Sequence, residues 1–209
     1  MEFDQPIHTL EQARAYYEAM NCSLFHIYRE DSARTDEFSA LNISEAILES
    51  WRHDYAEKRL SEVNREDASP DKLWSLHCDL AEIVCGLSSI RLIERFFEAS
   101  RSIASKLAQF DKLLVAETLV GRSALANKTG LIFRCHQLAR PDIAQQFVDL
   151  VRTLVSEPFP AHEVSPFGGE PVENRRLSLL ANLEAVIQSC KKRIWNLPWA
   201  LTQKPTGRH

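Results

Sequence analysis

Glycine is scarce in this chain, and the motifs that depend on it are missing. Only 6 of the 209 residues are glycine, and Gly168-Gly169 is an isolated pair inside a proline-rich stretch. The sequence has no glycine-rich phosphate-binding loop, no Gly-x-Ser-x-Gly turn and no His-Glu-x-x-His motif. These absences weigh against nucleotide-binding proteins, hydrolases with a serine nucleophile elbow and zinc proteases.

Long apolar runs and paired cysteines are also missing. No run of about 18 apolar residues occurs, so we expect no membrane-spanning helix. The acidic start, Met1–Pro6, lacks the apolar stretch of a secretory signal peptide. The five cysteines are scattered without a Cys-x-x-Cys pair, as is typical of reduced, mostly buried thiols. Together these features predict a cytoplasmic protein.

Apolar residues at helical spacing are abundant. Hydrophobic residues make up 44% of the chain, enough to offset the entropy lost on folding. Leu73, Leu76 and Leu80 follow the helix-start signal Ser69-Pro70, and a similar pattern covers residues 141–155. The pattern predicts an all-α fold, a single helical bundle of about seven helices with a proline-rich loop before the last helix.

One domain is predicted over residues 1–201, with a flexible tail after it. The four prolines and two glycines of the proline-rich loop exclude a helix there. In order, the predicted parts are an acidic helical part (1–67), central helices (68–156), the proline-rich loop (157–173), a basic C-terminal helix (174–201) and the tail (202–209).

Local signals set several boundaries within this domain. Thr9 opens a capping-box pattern before a helix at about 10–20, and Ser44 is expected to cap a helix that runs to about residue 63. The segment Asn21–Arg34 has no clear period and is predicted to be irregular. Residues 128–139 are left open between helix and strand.

The net charge of −4 conceals a gradient along the chain. Residues 1–67 carry 7 Lys/Arg against 15 Asp/Glu, residues 68–173 carry 11 against 13, and residues 174–209 carry 7 against 1. Such segregation indicates either an interaction surface or an acidic part that packs beside a basic one. The hypothesis we favour is a protein–protein interaction module of adaptor, regulatory or immunity type, whose acidic N-terminal surface attracts a basic partner.

Two segments supply candidate partner-binding residues. His26, Arg29 and Glu30 lie in the predicted irregular stretch, where functional residues often occur. Trp195 and Trp199 lie in the densest aromatic segment and either pin the last helix to the core or dock a partner. The expected partner is another protein or a second copy of this chain, and the sequence leaves catalytic activity undecided while favouring a non-catalytic role.

A metal-binding helical enzyme is the alternative hypothesis. Cys22 and His26 have the residue types and spacing of half a zinc site. Glu49 and His53 belong to a row of charged side chains that recurs every four residues along one helix. Cys135-His136 is a further ligand pair, although neighbouring helical residues point about 100° apart. No cofactor is predicted under the favoured hypothesis, and zinc or iron under the alternative.

Nucleic-acid binding is the third hypothesis. Lys191, Lys192 and Arg193 give the last helix a basic cluster of the kind that contacts phosphates. However, the sequence pI is near 6.0, and no known nucleic-acid recognition motif is present. Basic side chains in a last helical turn also complement the helix dipole without any ligand. We therefore expect neither nucleic acid nor a membrane as the partner.

Overall fold

The computed structural model describes residues 6–20, 32–63, 69–121, 130–166 and 168–195, with the backbone alone at 32–35 and 192–195. These residues form nine α-helices and no β-strand, so the all-α prediction is confirmed, with nine helices in place of about seven. None of these helices has both the length and the apolar character needed to cross a bilayer. In chain order the helices are α1 (Leu10–Ala19), α2 (Ser32–Ala40), α3 (Glu45–Leu60), α4 (Pro70–Cys85), α5 (Ile90–Ser105), α6 (Gln109–Val120), α7 (Leu131–Gln137), α8 (Pro141–Leu154) and α9 (Val172–Trp195).

The chain divides into two compact units that also differ in charge. Unit 1 is Met1–Leu119 and unit 2 is Val120–His209. Unit 1 carries 13 Lys/Arg against 22 Asp/Glu, whereas unit 2 carries 12 against 7. In unit 1, α3, α4 and α5 pack against one another and α1 packs on α3; in unit 2, α7 packs against α8 and α9. The single domain over residues 1–201 stays a prediction.

Side-chain caps fix where four helices of unit 1 begin, namely α1, α3, α4 and α5. Each capping hydroxyl accepts a hydrogen bond from a backbone N–H in the first turn, and such a cap contributes about 1 kcal/mol. In α1 the capping box is complete, because the Gln12 side chain also accepts from the Thr9 backbone N–H. The capping residues are Thr9, Ser44, Ser69 and Ser89.

Helix α2 corrects the prediction of an irregular link over Asn21–Arg34. Residues 32–34 are helical, and residues 21–31 lie outside the described part of the chain. Phe38 is buried with its ring centroid 6.1 Å from that of Tyr16 in α1. This contact with another helix anchors the described part of α2. Because the local sequence shows no helical period, it did not reveal the helix.

Residues 131–137, which the sequence left open between helix and strand, form α7. Gly130 precedes α7 with φ 98° and ψ 164°, a conformation that residues with a Cβ rarely adopt. From there the chain enters a short helix in which Leu131, Ile132, Phe133 and Cys135 are buried. Burial on nearly all sides explains why no amphipathic period marks this helix.

The proline-rich loop ends two residues earlier than predicted, because Val172 and Glu173 already belong to α9. Glu173 accepts hydrogen bonds from the Phe159 backbone N–H, at 2.9 Å, and from Arg176. Arg176 in turn donates to the Val155 carbonyl oxygen at 3.0 Å. The loop is therefore tied to the first turn of α9, where a carboxylate also suits the helix dipole.

The Gly130 conformation makes a stability prediction. Gly130→Ala should lower the free energy of unfolding by about 1–3 kcal/mol, because alanine is strained at this φ and ψ. Urea denaturation followed by circular dichroism measures the change. Gly169→Ala is the matched control, since a Cβ there meets no heavy atom within 4 Å. Equal stability of the two variants would show that alanine at position 130 adopts this φ and ψ without strain.

Candidate protein-interaction surface

A groove with a volume of about 540 Å³ lies between the end of α3 and the outer face of α5 in unit 1. Its floor is apolar and consists of side chains that are otherwise buried, while its rim is charged or polar. Such an apolar floor with a few polar groups is typical of a binding site. The floor residues are Leu60, Val63 and Ala99, and the rim residues are Arg91, Glu94, Arg95, Glu98 and Ser102.

The two-sided sequence of α5 positions this rim. Its inner face buries Leu92, Ile93, Phe96 and Ile103, which recur at helical spacing. The charged residues at 91, 94, 95 and 98 recur at intervals of three and four on the opposite side, and we call them the α5 charged stripe. Burial of the inner face therefore leaves the charged stripe beside the groove.

Ion pairs hold part of the charged stripe in place. Arg95 is paired with Glu57 of α3, and this hydrogen bond is the main cause that holds the pKa of Glu57 below its usual range. Glu98 is paired with Arg101 at 3.3 Å, with both side chains largely exposed. Arg91 makes no hydrogen bond or ion pair with the described residues, although its charge also lowers the pKa of Glu57. The rim thus presents both signs of charge to a ligand.

The predicted partner-binding residues do not lie in this groove as far as the structure describes them. His26, Arg29, Glu30 and Trp199 are outside the described residues. Trp195 is the last residue of α9, and its side chain is likewise outside the description. Their role in binding stays a prediction.

Most described carboxylates of the acidic N-terminal part bond within unit 1. They accept hydrogen bonds from arginine side chains or from backbone N–H groups, some within one helix and others between helices or from a helix to a loop. Glu11 and Asp36 are exposed and make no such bond with the described residues. The acidic surface stays a prediction. The engaged carboxylates are Glu18, Glu37, Glu45, Glu49, Asp54, Glu57 and Glu62.

Arg52 is the clearest difference from the expected solvated face of α3. The sequence places it among ordinary surface pairs, but it is only 9% exposed. Its Nε donates to the Tyr17 hydroxyl at 2.8 Å and its Nη1 donates to Glu45 Oε1 at 2.7 Å. Burial disfavours the charged form of Arg52 and by itself would lower its pKa. The two hydrogen bonds outweigh this effect, so the pKa of Arg52 is raised. Arg52 therefore links α3 to α1.

Only half of the metal site in the alternative hypothesis falls within the described residues. Cys22 and His26 lie outside the described residues, and Glu49 accepts a hydrogen bond from the Ser88 backbone N–H at 3.1 Å. His53 is half-buried on the same helix. Within the described ranges, no three His, Cys, Asp or Glu side chains lie close enough to hold a metal ion. A metal-dependent function stays an untested alternative.

The Cys135-His136 pair of α7 is poorly suited to a metal. Cys135 is fully buried, and burial raises the pKa of its thiol to about 12. Because the thiolate is the metal ligand, a buried neutral thiol is a weak one. His136 is half-buried, and burial lowers its pKa.

The basic cluster of α9 is only partly described. Lys191 is exposed, while the side chains of Lys192 and Arg193 lie outside the description. Arg176, which the sequence shows as part of the basic character of this helix, is bonded to Glu173 and to the Val155 carbonyl oxygen. The description therefore adds no phosphate-binding surface to the nucleic-acid hypothesis.

One buried polar pair lies between α4 and α5, directly behind the groove. His77 is fully buried, and its Nε2 is 3.2 Å from the hydroxyl oxygen of Ser100, which is also buried. The sequence predicts a partly buried His77 with a hydrogen-bond partner, because Leu73 and Ala81 lie one turn away. Ser100 is this hydrogen-bond partner, and His77 is fully rather than partly buried.

Sequence reasoning missed the α5 charged stripe because it followed only the apolar period of this helix. The signal was available, since Arg91, Glu94, Arg95 and Glu98 have the same spacing of three and four as the apolar residues. Leu60 and Val63, by contrast, gave no signal, because their role depends on the packing of α3 against α5. Comparison with protein-family models, curated proteins and solved structures finds no match to this chain.

The Arg52 link predicts a measurable loss of stability. Tyr17→Phe should lower the free energy of unfolding by about 1–3 kcal/mol, because it leaves the buried Nε of Arg52 without its acceptor. A double-mutant cycle with Arg52→Met measures the coupling, and the double variant should cost less than the two single variants added together. Strict additivity would show that the two side chains are not coupled.

The buried thiol predicts selective alkylation. Iodoacetamide at pH 8 should modify the half-buried Cys78 and Cys85 much faster than Cys135, whose thiol is buried and protonated. Peptide mapping by mass spectrometry measures each site, and urea should abolish the difference. Rapid alkylation of Cys135 in the folded protein would contradict its placement in the core.

Proposed function

We propose that this chain is a cytoplasmic protein–protein interaction module, of adaptor, regulatory or immunity type, and that the groove beside α5 is its partner-binding site. The observation that supports the proposal is the combination of an apolar floor with an exposed rim carrying both signs of charge. A partner side chain gains free energy by covering the floor, while the rim selects the charges around it.

The rim favours a partner segment of defined chemistry. Arg91 and Glu98 are seven residues apart in α5, which corresponds to about 10 Å along a helix. A segment that fits both carries a carboxylate opposite Arg91, a basic side chain opposite Glu98 and an apolar side chain for the floor. An amphipathic helix laid along α5 satisfies this arrangement.

The charge of unit 1 adds a long-range component to the proposal. With 22 acidic and 13 basic residues, unit 1 attracts a partner that is basic overall. The acidic N-terminal surface expected from the sequence is part of this proposal. Complementary surface charge raises the association rate more than it raises the affinity. The groove is therefore needed for the short-range contacts that give affinity.

Site-specific photocrosslinking tests the proposal. A benzoylphenylalanine residue in place of Ser102, inside the groove, should form an adduct with one predominant partner protein in cells that produce the full chain. The same residue in place of Glu82, an exposed position on α4, is the matched control. Mass spectrometry identifies the crosslinked peptide, which should carry the acidic, basic and apolar side chains described above.

A rim variant shows whether the adduct depends on the charged stripe. Glu98→Arg should reduce the adduct yield roughly tenfold or more, because like charges then face each other. No protein adduct at position 102, or the same adducts at position 82, would overturn the proposal. An adduct with a second copy of the chain would replace the proposed partner with self-association.

A further inference from the structure

The hydrogen bonds around His77 leave one of its ring nitrogens without a partner among the described residues. The Ser100 hydroxyl has one hydrogen, which it donates to the Phe96 carbonyl oxygen at 2.9 Å. In the tautomer compatible with this bond, Nε2 carries the ring proton and donates to the Ser100 oxygen 3.2 Å away. Nδ1 is then a bare acceptor, and it is buried without a partner among the described residues. A second proton on Nδ1 would have no acceptor.

Among the residues that the structure describes, no charged side chain compensates a protonated His77. Its ring lies against Trp74, with centroids 6.2 Å apart, and against Phe96, with centroids 5.3 Å apart. Burial is the cause that lowers its pKa, to about 3, and no charged group contributes.

Two charged groups on the packed helices form ion pairs with residues of α3. Asp79 of α4 is bonded to Arg59 of α3 at 2.7 Å, and Arg95 of α5 is paired with Glu57 of α3. Since the pKa of Glu57 is also lowered, the Glu57–Arg95 pair persists at pH 5. Mild acid therefore acts on His77 without neutralising this part of the groove rim.

We propose that mild acid shifts α5 toward release from α4, because the released His77 takes up a proton that the buried ring does not, and that this release opens the groove. Ser100, which holds His77, is the next residue after Ala99 of the groove floor, and Phe96 follows Arg95 of the rim. A displacement of α5 from its contact with His77 therefore shifts these groove residues relative to Leu60 of α3 and to Val63, which follows α3. This regulation rests on the proposed function for its biological meaning, while the opening itself needs no partner.

The sign of the pH effect follows from proton linkage. Well above pH 6.5, His77 is mostly neutral both in the closed state and when α5 is released, so pH has little effect. Between pH 6.5 and about 3, the released ring binds a proton that the closed ring does not. The ratio of released to closed molecules then rises about tenfold per pH unit, or about 25-fold from pH 7 to pH 5.

Amide hydrogen exchange of the full chain tests this inference. After correction for intrinsic rates, the protection of α5 amides should fall about 25-fold from pH 7 to pH 5. In His77→Phe the protection should not change over this range, because phenylalanine fills the site without titrating and Ser100 still bonds Phe96. His53→Gln, which removes a half-buried histidine of α3, is the matched control and should keep the fall.

Two outcomes would overturn the inference: constant protection of α5 in the natural chain, or an equal fall in His77→Phe. The first needs no variant, so the test holds even where His77→Phe fails to fold. Because exchange is measured on the protein alone, its result is independent of the photocrosslinking experiment. Failure of the proposed function and failure of the acid release are therefore distinguishable.

Discussion

The packing of α5 against α4 is the contact on which unit 1 depends. One face of α5 is buried, with Phe96 and Ile103 inaccessible to solvent, and burial of each such side chain contributes about 1.5–3 kcal/mol. The same contact encloses His77 and Ser100 and leaves the charged stripe on the other face. The core, the buried polar pair and the groove thus all depend on the two faces of α5. A change at the face that packs against α4 can therefore affect the exposed face that carries the charged stripe.

Most of the fold follows from local signals in the sequence. Ser44 and Ser69 begin helices as their positions predict, and the apolar period of α8 gives a helix with a buried face. Helix α2 escapes prediction because its anchor, Phe38, meets Tyr16 of another helix. The sequence predicted the start of α9 two residues too late. The hydrogen bonds of Glu173 to the loop, and not the composition of the loop, set this boundary.

The site was far less predictable than the fold. From the sequence, Arg52 is expected to be a surface residue of a charged helix. In the structure it is buried and bonds to Tyr17, which lies 35 residues earlier in the chain. The groove joins Val63 to α5 across about 30 residues of sequence, so no local motif marks it. The charge gradient, by contrast, was visible in the sequence, and the division into two units sharpens it: the acidic excess belongs to unit 1 and the basic excess to unit 2.

Carboxylate footprinting tests most directly whether the α5 surface binds a protein. The chain is labelled with a carbodiimide and glycine ethyl ester, once as purified protein and once in its native lysate, and the modified glutamates are quantified by mass spectrometry. The account predicts that Glu94 and Glu98 are labelled less in the lysate, while Glu82 on α4 is labelled equally in both. Equal labelling of all three residues in the two samples would contradict the assignment of this surface to partner binding.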